Sequence, residues 1–173
     1  RSHSLNMRDW RDLSKPANAH ARTSNSMVQI GYTVSHNGLQ IWTAHEAAAA
    51  IAHGNLTSEA LIRACLDQIQ TGEPVVQAWA HLDPVEAITE AQTRDGEVPR
   101  GPLHGVPMGI KDIIDVADMP CRMGSPIYTA NQPATDASCI ALLRAAGAVI
   151  LGKTVTAEFA ATTPGPTTNP VDP

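Results

Sequence analysis

Apolar positions recur along this chain at two spacings, and each spacing predicts a different kind of element. Residues 1 to 26, RSHSLNMRDWRDLSKPANAHARTSNS, show neither. They are polar and rich in Ser, Asn, Arg and His, which predicts a disordered extension or a remnant ahead of Met27 as the true start. Order is expected from near Leu39. Thr43-Ala44-His45-Glu46 has the form of a capping box, in which a hydroxyl and a carboxylate satisfy free N–H groups at a helix start. An alanine-rich helix should follow and stop at Gly54. A second helix is expected from near Thr57, because Leu61, Ile62, Cys65, Leu66 and Ile69 fall three and four residues apart on one face. A third should open at Asp83, with Pro84 in its first turn, and run out at Asp95-Gly96.

The texture then changes. In GPLHGVPMGIKDIID, Gly101 to Asp115, the alternation of Val106, Met108 and Ile110 predicts a short strand. Pro107 lacks an N–H, so it belongs at an edge or at the strand's start. Pro120 to Pro133 reads as a long loop. Asp136 is expected to cap a fourth helix bearing Ile140 and Leu143, with Gly147 as its C-terminal stop. Ala148 to Leu151 should be a strand that leaves the sheet at Gly152, before a short helix near Ala157. PGPTTNPVDP closes the chain as irregular backbone that stops in a loop, which predicts a fragment rather than a natural domain end. Strands between helices make the fold class α/β.

This order of elements decides the reading of GAVILGKT, Gly147 to Thr154. The letters match the phosphate-binding pattern G-x-x-x-x-G-K-[ST]. A phosphate loop, however, needs a strand before its first glycine and loop between the two glycines, so that N–H groups can point at phosphates. Here a helix, SCIALLRAA, leads into Gly147, and Ala-Val-Ile-Leu is strand material. The match is read as a coincidence, and a nucleotide-binding domain remains the least favoured function.

Composition narrows the classes further. The chain has 173 residues, 43% hydrophobic and 17% charged, enough for a packed core in one domain. Its net charge of −5, with no Lys/Arg run, argues against direct nucleic-acid binding. No apolar run approaches a membrane span or a signal peptide, so a cytoplasmic protein is expected. Cys65, Cys121 and Cys139 form no C-x-x-C pair; Cys65 and Cys139 sit in apolar helical patterns and read as core. No metal-ligand spacing is visible, and no cofactor is expected. His45 and His53 read as solvated. His104, near Lys111, reads as a loop-packing residue in preference to a proton relay.

Lys111 is the residue with chemical promise. If it points inward, burial favours the neutral amine, which can act as a base; otherwise it is a surface lysine beside Asp112 and near Asp115. GPLHGVPMGIKD resembles the lysine segment of the amidase signature family. The likeness continues through Met119-Pro120, Gly124-Ser125, DASCIALLRAAGAVILGKT, Glu158-Phe159-Ala160 and Asn169-Pro170, in the family's order, and covers roughly residues 39 to 173. The resemblance implies a mixed β-sheet wrapped by helices and a small-molecule amide substrate, with a homodimer possible. It also implies a Ser–Ser–Lys mechanism with Lys111 as the base. The two serines and the oxyanion hole belong to a Gly/Ser-rich block that follows the Asn-Pro segment in the family. Residues 27–173 thus read as the incomplete N-terminal part of an amidase domain, truncated before that block. Ser125 and Ser138 read as structural, and Cys121, where many members carry Thr, as an inert loop cysteine. A non-catalytic fragment or subunit that works with a partner chain, for example in a glutamine-dependent tRNA amidotransferase, is the alternative.

Overall fold

The computed structural model describes residues 42–161 and 163–170. The expectations for residues 1–26, for Met27 and for an ordered start near Leu39 lie outside them.

The elements run α1 (Ala44–Ala52), α2 (Ser58–Val76), β1 (Trp79–Leu82), α3 (Pro84–Asp95), β2 (Pro107–Lys111), α4 (Ser138–Ala145) and β3 (Val149–Thr154). Single 3₁₀ turns lie at Pro126–Tyr128 and Glu158–Ala160. The capping box is formed: the Thr43 hydroxyl accepts from the Glu46 N–H, and the Thr43 N–H donates to the Glu46 carboxylate at 2.9 Å. Thr57 caps α2, and Asp83 caps α3 with Pro84 in its first turn. The two helices are also tied end to start. Asp95, the last residue of α3, accepts the Ser58 and Glu59 N–H groups at the head of α2, at 2.6 and 2.9 Å. A carboxylate there satisfies free donors and complements the positive end of the helix.

The sheet has the order β1-β3-β2. β1 runs antiparallel to β3, and β2 runs parallel to it with α4 as the crossover helix. β3 is thus the central strand, and five of its six residues are buried. β2 begins at Pro107 and lies at the edge of the described sheet, as its proline requires. One face of the parallel pair carries Met108, Ile110 and Ile150. These pack with Val116, Met119 and, from α4, Ile140 and Leu143. The other face carries Gly109, Gly152 and Thr154. A Cβ on Gly109 or on Gly152 would lie about 3.1–3.2 Å from the ring of Trp79, so the glycines make room for that indole.

Three expectations are corrected, and one strand is added. β3 does not leave the sheet at Gly152 but continues through Lys153 to Thr154. Its register with β2 shifts between Ile150 and Gly152, where Leu151 is the extra residue, and its register with β1 shifts between Lys153 and Thr154, where Ala80 of β1 is the extra residue; neither irregularity ends the pairing. Asp136 does not cap α4; Ala137 holds that position with no side-chain cap. The Asp136 carboxylate is taken instead by the Ala117 N–H at 2.9 Å and the Arg144 guanidinium at 3.1 Å. Cys139 is exposed, because α4 buries only a narrow side around Ile140. Finally β1, which the sequence pattern does not announce, is a strand. Its entry is set by Glu73, whose carboxylate accepts the N–H groups of Ala78 and Trp79.

Candidate functional site

Lys111 and Lys153 are the lysines among the described residues, and they sit at successive rungs of the parallel pair. Ile110 is level with Lys153, and Lys111 with Thr154. Alternation along a strand sends neighbouring side chains to opposite faces, so the two lysines meet opposite surroundings. Lys153 shares the face of Ile110 and is wholly buried. Lys111 shares the face of Gly109, at the carboxyl end of β2, and is exposed. In open α/β sheets that end of the parallel strands is where ligands are met.

Asp112 decides what each lysine can do. Its N–H donates to the Thr154 carbonyl at 2.9 Å, which carries the ladder one rung past Lys111. Its side chain therefore falls on the Ile110 face and meets Lys153 Nζ at 3.1 Å, with both side chains at most 3% exposed. Lys153 Nζ also donates to the Pro120 carbonyl at 3.1 Å, and the Arg122 N–H donates to the Asp112 carboxylate at 3.2–3.3 Å. The Met123 N–H donates to the Asp112 carbonyl at 2.9 Å. Asp112 is thus fixed through its donor, its acceptor and its charge. By contrast, no ion pair or hydrogen bond with another described residue engages the Lys111 ammonium.

The loops above these strand ends are built on the same bonds. The Met123 carbonyl accepts the Phe159 N–H at 2.9 Å, which joins the loop after β2 to the loop after β3. Gly124 has φ +65°, and a Cβ there would lie 2.7 Å from the Thr156 carbonyl, so only glycine lets these loops touch. Ser125 is buried; its hydroxyl donates to Glu158 at 2.7 Å and caps the turn at Pro126–Tyr128. Cys121 is buried beside the Asp112 carbonyl, and burial pushes its thiol pKa up, away from the thiolate a nucleophile needs. His104 is buried too. Its Nε2 donates to the Arg94 carbonyl at 2.9 Å and its Nδ1 accepts the Arg100 N–H at 3.2 Å, which leaves no ring nitrogen to relay a proton. It borders a cavity of about 270 Å³ against α1, which Lys111 does not line. His45 and His53 are exposed, as read from the sequence.

The segment Gly147 to Thr154 is no phosphate cradle. Gly147, at φ +90°, stops α4, the next residues are paired strand, and the lysine of the pattern is buried against Asp112. Sequence reasoning assigned no role to Lys153 or to the side chain of Asp112. The available signal was a lysine following a run of Val, Ile and Leu that reads as buried strand.

A family model described as Amidase matches residues 60–173. The chain belongs to the amidase family. It is 42% identical over 120 residues to a subunit of the glutamyl-tRNA(Gln) amidotransferase of Oleidesulfovibrio alaskensis, covering 68% of this chain and 25% of that one. It is 38% identical over 119 residues to the putative amidase AmiD of Mycobacterium tuberculosis, covering 66% of this chain and 25% of that one. The native peptide amidase of Stenotrophomonas maltophilia superposes with a TM-score of 0.63 at 37% identity, over 67% of this chain and 25% of that one. The α/β fold of this chain is therefore the amidase-signature fold over the matched region. This chain spans about a quarter of the length of the curated relatives it matches. Among the described residues no helix is long and apolar enough to cross a membrane.

Proposed function

We propose that these residues form the base-bearing part of an amide hydrolase and that Lys111 is its general base. One observation carries the proposal: the family's lysine segment ends in an exposed ammonium with no partner among the described residues, at the carboxyl end of a parallel strand, while the neighbouring Lys153 is consumed by Asp112. A lysine held by a carboxylate is committed; a lysine at a strand end is available to a substrate-side group.

In the proposed reaction neutral Lys111 takes a proton from a bridging serine, which takes one from a nucleophilic serine. The nucleophile's oxygen bonds to the amide carbon, and the carbonyl π pair moves to oxygen. Collapse of this adduct breaks the C–N bond, and the proton returns from Lys111 through the bridging serine to the departing amine. Water then attacks the acyl-enzyme by the same proton path and releases the acid. The described serines do not fill these roles. Ser58 donates to the Gly105 carbonyl, Ser125 to Glu158, and Ser138 opens α4. Both catalytic serines are assigned to a Gly/Ser-rich block of the full reading frame.

The test uses that full reading frame with simple primary amides and measures ammonia release. Lys111→Ala should lower turnover by a factor on the order of 10² to 10⁴, the usual contribution of a positioned acid–base group. Lys111→Arg should do no better, since arginine stays charged. Near-normal turnover in a folded Lys111→Ala protein would overturn the assignment. A second reading comes from the relative that is a subunit of a glutamyl-tRNA(Gln) amidotransferase: this chain would then serve in such an assembly. Ammonia release from glutamine alone, dependent on added partner chains, would favour it.

A further inference from the structure

Lys153 is the largest fully buried side chain of the described residues, and it is a lysine. Burying a charge is costly even when it is paired, and an apolar side chain of similar size is often as stable there or more so. A buried ion pair one residue from the candidate base therefore calls for a reason beyond stability. The bonds around it supply one. Lys153 is held by two groups, the Asp112 carboxylate and the Pro120 carbonyl. Those groups belong to the two ends of the turn that leaves β2. Asp112, in turn, is bonded to the strand at Thr154 and to the loop at Arg122 and Met123. Lys111 is covalently attached to this fixed residue; its own carbonyl accepts the Ile114 N–H at 3.0 Å, and its side chain has no partner among the described residues.

We propose that the Asp112–Lys153 pair is the positioning element of Lys111: it fixes the backbone where Lys111 leaves the sheet and balances the charge beside it. Asp112 and Lys153 touch no substrate and are positioning residues, not catalytic ones. The inference rests on the reading of Lys111 as the base. The pair also has a charge sign that can be tested. With both members present, its net charge is zero. Asp112→Asn leaves the Lys153 cation, which disfavours the Lys111 ammonium. Lys153→Met leaves the Asp112 anion, which favours that ammonium. Among the described residues, His81 on β1 and Cys121 in the loop after β2 lie near both members of the pair, Arg122 donates its N–H to Asp112, and Asp83 and Asp115 lie near His81 and Cys121. All five are common to both variants, so opposite shifts report the pair itself.

Two measurements test it. The first is the pH–rate profile of the full reading frame on simple primary amides. Asp112→Asn should move the acid limb to lower pH and Lys153→Met to higher pH. In both, kcat should fall on the order of tenfold or more with KM within about twofold, as expected for a displaced base with an intact binding pocket. The second needs no activity. Reductive methylation with ¹³C-formaldehyde labels exposed lysines, and the Lys111 signal, assigned by its loss in Lys111→Arg, should titrate with the same opposite shifts. Shifts in one direction for both variants, or none, would overturn the inference. If a single variant fails to fold, Asp112→Asn/Lys153→Met removes both charges at nearly constant shape. It should show an unmoved Lys111 titration with kcat still lowered at unchanged KM; wild-type kcat in this double variant would overturn the inference. A normal turnover in Lys111→Ala would sink the base assignment instead, and the methyl titration keeps the two failures apart.

Discussion

His81 on β1 is level with Lys153 on β3, so this imidazole lies beside the buried pair. Burial holds its pKa below the usual histidine value, and the Arg122 guanidinium adds to the effect. The consequence for stability has a definite sign. A histidine whose folded pKa is lowered binds fewer protons than in the unfolded chain, whose value is about 6.5. Its contribution is present above that unfolded pKa and is lost as pH falls through it. The protein should lose thermal stability as pH falls from about 7 to 5, and His81→Gln should flatten that dependence. Equal slopes for both proteins across melts in this range would show that His81 charges freely in the folded state. Cys121 illustrates the same physics for a thiol: burial keeps it protonated, which matches its reading as inert.

The elements differ in how plainly the chain announces them. Helix starts were legible because a cap is a local device: Thr43 with Glu46, Thr57, and Asp83 with Pro84 each satisfy donors within three residues. Asp136 misled for the complementary reason. Its carboxylate serves the distant Ala117 and Arg144, which no local pattern reveals. β1 was illegible because its four half-buried residues have no alternation, and its start is fixed by a glutamate from the preceding helix. β3 was cut short because Gly152 resembles a strand end, whereas packing requires a glycine there. A Cβ would lie 2.5 Å from the His81 carbonyl and 3.1 Å from both Leu82 and the Trp79 ring. Gly152→Ala should therefore destabilise the sheet by about 1–3 kcal/mol or more, the usual range for forcing extra volume into a packed site. Denaturant unfolding measures it. A variant as stable as the parent would mean that β1 can move away at little cost. In the same way Lys111 stood out as a candidate from its segment, while the buried pair proposed to position it did not. Pairing Asp112 with Lys153 depends on the parallel register, a long-range property of the sheet.

At the scale of the whole molecule, the described fold presents a candidate base and no serine beside it. Lys111 stands exposed at the strand end, and the three described serines lie in bonds or turns elsewhere. A serine hydroxyl without a base in reach is a weak nucleophile, and a base without a serine has nothing to activate. Under the proposed reading the two halves of the machinery come together only in the full reading frame. A fluorophosphonate, which phosphonylates an activated serine by displacement of fluoride, separates the two cases. The 173-residue chain should not be labelled beyond a heat-denatured control. The full reading frame should gain one covalent adduct per chain by mass spectrometry, on a serine outside these 173 residues. Lys111→Ala in the full frame should slow labelling by a factor on the order of 10² or more, the contribution of the base to nucleophile activation. Rapid labelling of Ser125 or Ser138 in the 173-residue chain would mean that the described loops rearrange to bring a serine to Lys111. The division of labour between this sheet and later sequence would then be wrong. Labelling of the full frame at an unchanged rate in Lys111→Ala would leave the serine activated by another group and remove Lys111 from the mechanism.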